Sequence, residues 1–237
     1  MAAYMGIRAA RELELVSYNL ANASTLGFKR ERLYLWEVQA PVVPSPSLVD
    51  RPALYLDVLG RDFNQGPLHI TENETDLAIE GPGFFKIETP QGIRYTRNGA
   101  FTLSLDKQLV TREGYPVMGK NGPVNLDSRD QKFAFDGEGG IHLDGSLSDQ
   151  IMVVDFPNPQ GLVAIGNCYF TAGPEAGEEK PAEGYRIRQG AVEESNVDLA
   201  TESVNLIAIH RAYDAYMKVL ETFATADRKV VEEIGQG

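Results

Sequence analysis

The residues that most often carry chemistry are scattered in this chain. His69, His142 and His210 have no ligand-like spacing to one another, whereas a metal site needs clustered donors. Cys168 is the single cysteine, so it forms no intrachain disulfide, and no histidine lies near it in the sequence to activate the thiol. No Gly-x-Ser-x-Gly elbow occurs. The sequence therefore predicts no catalytic centre and no cofactor.

Two glycine-rich stretches resemble binding loops only in part. The stretch 136–140 (DGEGG) begins like a calcium loop, but Ile141 stands where that loop needs glycine and Leu147 where it needs glutamate. We interpret it as the turn of a hairpin. The turn 81–83 (GPG) lacks the rest of a dinucleotide fingerprint, and Phe84 continues a strand instead of opening a helix. We expect neither stretch to bind a ligand.

Composition and charge narrow the class of protein. The 237 residues are 43% hydrophobic and 24% charged, which is typical of a globular protein with one core or two small ones. The net charge of -12 disfavours nucleic acid and anionic membranes, because phosphates repel such a surface. No run of about 18 apolar residues occurs, so we expect no membrane insertion. Arg8, Arg11, Glu12 and Glu14 stand where a secretory signal needs an apolar core, so we expect no cleaved signal peptide.

Helical spacing occurs at both ends of the chain. Residues 2–22 repeat small or apolar side chains every three or four positions, as a helix with one buried face requires. The second helix is predicted from about Val197 to Ile234. Its main apolar row has the heptad spacing that lets one helix bury itself along another, and Asp227 alone interrupts it. A second row, of small residues, comprises Ala208, Ala212, Ala215, Val219 and Ala226. Two apolar faces on one helix predict assembly with other chains.

The middle of the chain has a different character. Prolines between positions 41 and 67 disfavour a helix, so residues 37–60 are expected to form an extended connector, partly of short strands. Residues 61–191 contain short apolar runs separated by turn residues, which predicts strands. Among them are a strand at Leu77–Glu80 and a hairpin that pairs residues 84–88 with 93–97 across residues 89–92. The predicted fold class is α+β, with long N- and C-terminal helices paired as a coiled-coil-like inner domain (1–36 and 192–237). An all-β domain, a meander or barrel, is expected to be inserted between them.

Three groups of motifs together resemble the bacterial flagellar rod and hook proteins. Residues 19–30 (NLANASTLGFKR) resemble the N-terminal signature of that family. Residues 75–85 (TDLAIEGPGFF) and 95–101 (YTRNGAF) resemble the opening of its β domain, and 190–198 (GAVEESNVD) resembles the segment before its last helix. The motif residues singled out by the resemblance are Asn19, Asn22, Thr25, Gly27, Phe28, Gly81, Gly83, Phe84, Phe85, Ser195, Asn196 and Val197.

The resemblance implies a structural protein and not an enzyme. It implies a subunit of the periplasmic rod of the flagellar basal body, which stacks with itself and with proximal and distal rod proteins to transmit torque. It also implies export through the flagellar type III apparatus. The helix rows expected to form the assembly interface are Leu13, Val16 and Leu20 near the N-terminus, and Leu206, Ile209, Tyr213, Tyr216, Leu220, Phe223 and Val230 near the C-terminus.

Two questions stay open at this point. Residues 217–219 (MKV) resemble the proximal type of rod protein, whereas residues 211–213 (RAY) resemble the distal type. A different class of function is a β-domain module that binds cell-wall glycan. Exposed aromatic side chains at Tyr95, Phe101 and Tyr115 would favour that function. A third class is a cell-wall enzyme, but no motif nominates its site.

Overall fold

The chain forms two compact units in a computed structural model that describes residues 2–38, 54–127 and 132–234. The helical unit comprises Met1–Ala21, Glu31–Arg61 and Asp198–Gly237. The β unit comprises Asn22–Arg30 and Asp62–Val197. The chain therefore passes between the units after residues 21, 30, 61 and 197, and the β unit takes in a short N-terminal segment as well as the middle of the chain.

The helical unit contains the two predicted helices and one hairpin. Helix α1 spans Ala2–Ala21 and helix α2 spans Leu199–Ile234, so both predicted helices are confirmed to within two residues. Asp198 caps α2, because its Oδ1 accepts a hydrogen bond from the Thr201 backbone N–H at 2.6 Å. Strand β1 (Glu31–Val38) pairs antiparallel with β2 (Leu54–Arg61), and these strands take up both ends of the segment expected as a connector. Residues 39–53 lie outside the described part of the chain.

The coiled-coil-like pairing of the helices is the part of the predicted fold class that is wrong. Helix α2 has 36 residues and α1 has 20, so among the described residues α2 has no helical partner of its own length. A coiled coil buries its heptad row as knobs in holes. In α2 that row is half-buried from Leu206 to Leu220 and exposed at Phe223. Heptad spacing shows that a helix has an apolar stripe, but it does not show what covers the stripe.

The two helices nevertheless lie against each other within the helical unit. A Cβ atom built at Gly6 of α1 would lie 3.9 Å from Tyr216 Cβ and 3.9 Å from Leu220 Cδ1. In α1, Val16 is buried, whereas Leu13 and Leu20 are half-buried. The side chain of Val230 lies outside the described residues. Among the described residues, neither helix combines the length and the mean hydropathy that spanning a membrane requires.

The β unit is a mostly antiparallel assembly of short strands, as predicted for an inserted β domain. Leu77–Glu80 has the predicted bounds, and the predicted hairpin across residues 89–92 is confirmed. The strands are β3 Leu68–Ile70, β4 Leu77–Glu80, β5 Phe84–Thr89, β6 Gly92–Thr96, β7 Thr102–Leu103, β8 Leu109–Val110, β9 Met118–Gly119, β10 Gly122–Pro123, β11 Phe133–Phe135, β12 Gly140–Leu143, β13 Ser146–Gln150, β14 Val153–Asp155, β15 Leu162–Ala164, β16 Tyr169–Ala172, β17 Lys180–Pro181, β18 Arg186–Gln189 and β19 Ala191–Glu193.

The largest sheet has six strands in the order β15-β16-β6-β5-β14-β17. Successive side chains of a strand point to opposite faces, and β5 shows this clearly. Phe84 belongs to a core with Tyr95, Phe156 and Phe170, whereas Phe85 belongs to a second core with Leu77 and Ile87 among others. The sheet therefore has a hydrophobic core on each face.

Candidate functional site

Glu193 is the centre of a buried ion cluster in the β unit. Its Oε1 accepts hydrogen bonds from Lys29 Nζ at 2.6 Å and from the Gly66 backbone N–H at 2.9 Å. Its Oε2 accepts a longer bond, 3.3 Å, from Arg97 Nη1. The side chains of Glu193 and Lys29 are 0% exposed, and that of Arg97 is 5% exposed. Each of the three residues lies in a different motif stretch: Lys29 in 19–30, Arg97 in 95–101 and Glu193 in 190–198.

Both cations of the cluster are held by backbone oxygens as well. Lys29 Nζ donates to the Asn64 carbonyl oxygen at 2.8 Å, and Arg97 Nη2 donates to the Gly81 carbonyl oxygen at 2.7 Å. Burial lowers the pKa of Lys29 and of Arg97, and the Glu193 carboxylate opposes that shift in each of them. One buried carboxylate therefore balances two buried cations, and buried charges need such partners to be tolerated.

Asn196 extends the cluster into a three-segment junction. Its Oδ1 accepts the Arg30 backbone N–H at 2.7 Å, and its Nδ2 donates to the carbonyl oxygens of Asp62 and Asn64 at 2.7 and 3.0 Å. The Asp62 backbone N–H also donates to the Arg30 carbonyl oxygen at 2.8 Å. One amide side chain thus joins the segments 27–30, 62–66 and 193–197, which are far apart in the sequence.

Gly27 lies where this junction meets the 95–101 motif. Its backbone N–H donates to the Glu193 carbonyl oxygen at 2.8 Å, and its φ is +68°. A Cβ atom at this position would lie 2.4 Å from the Asn98 backbone nitrogen and 2.7 Å from the Arg97 carbonyl carbon. Only glycine fits such an approach of two backbones. The motif glycine is therefore needed for packing, and α1 has already ended at Ala21.

The remaining motif residues also serve the fold of the two units. In the helical unit, Asn19 and Glu31 exchange two hydrogen bonds, from Asn19 Nδ2 to the Glu31 carbonyl at 2.8 Å and from the Glu31 N–H to Asn19 Oδ1 at 2.9 Å. Gly83 has φ +110° and lies against Val153. The other motif residues also have structural roles. Thr25 Oγ1 donates a hydrogen bond to Asn22 Oδ1, Ser195 Oγ accepts one from the Val197 N–H, and the side chains of Phe28, Phe84 and Phe85 are buried.

The sequence did not single out Lys29, Arg97 or Glu193 as a site. The available signal was a charged residue in a run that is otherwise buried, because Glu193 follows Ala191 and Val192, both buried, in β19. Pairing Glu193 with Lys29 was beyond sequence reasoning, since 164 positions separate them.

The helical unit differs from the β unit in how little it buries: both expose apolar side chains, Leu105 and Leu147 among those of the β unit, but the two hydrophobic cores lie in the β unit. Among the described residues, every buried hydrophobic side chain lies in the β unit except Ala9 and Val16. Helix α2 exposes Val204 to 67% and Phe223 to 62%. The large exposed apolar side chains of the helical unit are Tyr4, Met5, Ile7, Tyr18, Tyr34, Val58, Leu59, Leu199, Val204, Ile207, Met217, Val219 and Phe223.

The structure gives the alternative functions little support. Tyr95 and Phe101 are buried, so they do not form an exposed aromatic row for a glycan, and Tyr115 is partly buried against the larger core. Burial, with the nearby Glu113 carboxylate, raises the pKa of the Cys168 thiol to about 11, which makes it a poor nucleophile. The 136–140 stretch is the predicted hairpin turn between β11 and β12, and there the Asp136 carboxylate accepts the Glu138 and Gly140 N–H groups.

Comparison with known proteins agrees with the motifs. The family described as the D1 domain of the flagellar hook protein FlgE/F/G matches residues 78–143, and the family described as the C-terminal part of the flagellar basal-body rod FlgEFG protein matches residues 188–232. The flagellar basal-body rod protein FlgF of Caulobacter vibrioides is 34% identical, over 95% of this chain and 93% of its own length.

Two further relatives carry the same kind of name. The flagellar basal-body rod protein FlgG of Buchnera aphidicola subsp. Schizaphis graminum is 34% identical, over 89% of each chain. The FlgF of Mesorhizobium japonicum is 29% identical, over 95% of this chain and 92% of its own. With the motifs joined in one buried junction and relatives aligned over nearly their full length, this chain belongs to the FlgE/F/G family of flagellar hook and basal-body rod proteins.

Proposed function

We propose that this chain is a structural subunit of the flagellar basal-body rod, of the FlgF type, that polymerises through its terminal helices. Two FlgF relatives align with 95% of the chain, and the FlgG relative above aligns with 89% of it, which favours the proximal type over the distal one. As a rod subunit it would have itself and other rod proteins as partners. It would reach the periplasmic rod through the flagellar export apparatus.

The observation that carries the proposal is the apolar surface of the helical unit. Large exposed apolar patches mark interaction surfaces, and other rod subunits are the partners that we propose for this one. Burying one large apolar side chain contributes about 1.5 to 3 kcal/mol, and α2 alone exposes several of them, among them Val204, Ile207 and Phe223. A helical array of head-to-tail contacts would cover these side chains on every subunit.

The small residues of α2 lie on the same surface. Ala208 and Ala212 are exposed, and together with Met5, Ala9 and Tyr216 they line a groove of about 360 Å³ between α1 and α2. Small side chains permit close approach of a further helix. We propose the helix rows predicted from the sequence as the assembly contacts, with Phe223 as the most exposed described member of the main row.

The experiment is the substitution Phe223→Asp, tested in cells that lack the native copy. We expect motility to be lost and the subunit to be missing from isolated basal bodies, because a charge in a dry contact costs several kcal/mol. The purified monomer should melt as the wild type does, since Phe223 is 62% exposed. Leu220 is a worse choice, because it is half-buried near Gly6 of the same chain.

The matched control is Leu147→Asp, which places the same charge on a side chain of the β unit that is 66% exposed. This variant should assemble and swim normally. Normal swimming by the Phe223→Asp strain would refute assembly through this row, and a large drop in the melting temperature of the Phe223→Asp monomer would show that the row belongs to an intrachain core.

A further inference from the structure

We propose that Glu193 makes the docking of the N-terminal segment 22–30 onto the β unit conditional on the C-terminal segment 193–197. We call Gly27, Lys29, Glu193 and Asn196 the clamp. The clamp is closed only when the segments 22–30 and 193–197 are both docked on the β unit. This inference concerns a conformational device within one subunit and does not depend on the proposed assembly.

The first argument is the number of contacts that each segment makes to the other. Gly27 N–H donates to the Glu193 carbonyl oxygen, Lys29 Nζ to its carboxylate, and Arg30 N–H to the Asn196 side chain, all within 2.6 to 2.8 Å. Lys29 Nζ also donates a hydrogen bond to the Asn64 carbonyl oxygen of the β unit. Three of the hydrogen bonds that hold segment 22–30 therefore come from residues that the chain supplies 164 or 166 positions later.

The second argument is electrostatic. Lys29 and Arg97 are both buried and face the same carboxylate, so Glu193 is the carboxylate that balances their mutual repulsion at contact distance. The Asp62 carboxylate also raises the pKa of Lys29, and the Asp155 carboxylate that of Arg97, but Glu193 has the larger effect on both. Leaving a buried charge without its partner is strongly destabilising. Without Glu193, we therefore expect Lys29 to leave its buried position and segment 22–30 to leave with it.

The third argument is the path of the chain. Segment 22–30 is the short piece that the β unit takes from the N-terminal part, and the chain on both sides of it belongs to the helical unit. The segments 62–66 and 193–197, which Asn196 and Glu193 join to it, likewise begin or end where the chain passes between units. Opening the clamp would therefore free segment 22–30 from the β unit, while the two hydrophobic cores of that unit stay intact.

Amide hydrogen exchange of the full-length monomer tests the clamp. In Glu193→Gln we expect the Gly27 and Arg30 amides to exchange on the order of a hundredfold faster, the effect of breaking a buried ion pair. Amides of β5 and β6 should keep their wild-type rates. In Lys29→Met combined with Glu193→Gln, most of the protection should return, because segment 22–30 then places no charge at the cluster, while Arg97 still donates to the carbonyl oxygens of Ile79 and Gly81. The control Lys86→Met breaks an ion pair with Glu179 in the same unit and should change neither amide.

Three results would overturn the clamp. Wild-type exchange at Gly27 and Arg30 in Glu193→Gln would show that the segment is held by other contacts. Equal acceleration of the β5 and β6 amides would show that Glu193 is an ordinary core residue. A double variant no better protected than Glu193→Gln would show that the charge of Lys29 does not cause the segment to leave. If Glu193→Gln does not fold, Asn196→Ala takes its place: it should speed exchange at Arg30, and an unchanged Arg30 rate would refute the clamp.

Discussion

Replacing Gly27 by alanine should destabilise the β unit through two separable effects. The first is conformational: with φ at +68°, an L side chain costs about 1 to 2 kcal/mol. The second is steric, because the new Cβ would lie 2.4 Å from the Asn98 nitrogen and 2.7 Å from the Arg97 carbonyl carbon. These are backbone atoms that cannot rotate away, and overpacking of this kind costs about 1 to 3 kcal/mol. The expected loss in the free energy of unfolding is therefore roughly 2 to 5 kcal/mol.

Gly114 provides the matched control in the same unit. Its φ is +88°, but a Cβ atom there would meet nothing within 4 Å. Gly114→Ala should therefore cost only the conformational part, about 1 to 2 kcal/mol. The difference between the two variants isolates the close approach of the two backbones at Gly27.

The assay is urea denaturation of the full-length chain, followed by the NMR amide signals of Phe28 and Arg30, so that it reports on the segment that contains Gly27. We expect the Gly27→Ala midpoint to lie clearly below that of Gly114→Ala, with the same dependence of the free energy of unfolding on urea. Equal losses in the two variants would refute the steric argument. A Gly27→Ala protein as stable as the wild type would refute the left-handed conformation as well.

The remaining predictions concern ionisable side chains of the β unit. Burial, together with the hydrogen bond to Glu179, raises the pKa of Tyr95 above its usual value of 10.0, so the unfolded chain loses the phenolic proton first and stability falls as the pH rises through 10. The slope should approach about 1.4 kcal/mol per pH unit for this one group and be smaller by that amount in Tyr95→Phe, as measured by urea denaturation against pH; an unchanged slope would contradict the assignment. Burial raises the pKa of Cys168 from 9.0 to about 11, so at pH 8 iodoacetamide should alkylate it roughly a hundredfold more slowly than a thiol with an ordinary pKa, in proportion to the thiolate fraction. Reaction at the rate of free cysteine would show that the thiol is not buried.

The features that the sequence could predict are those encoded over a few neighbouring residues. Apolar spacing located α1 and α2 because a helix brings residues three and four apart onto one face. Alternation and turn residues located Leu77–Glu80 and the β5–β6 hairpin for the same local reason. The motif stretches identified the family, since each is a continuous run of the chain.

The features that only the tertiary structure decided depend on contacts between distant residues. The spacing of α2 gave the apolar row but not its partner, which is why the coiled-coil pairing was wrong and Phe223 is exposed. The sequence placed Lys29, Arg97 and Glu193 in three separate motifs, and no local rule states that one buried carboxylate serves both cations. That arrangement exists because the fold removes all three charges from water together, so each is tolerated only in the company of the others.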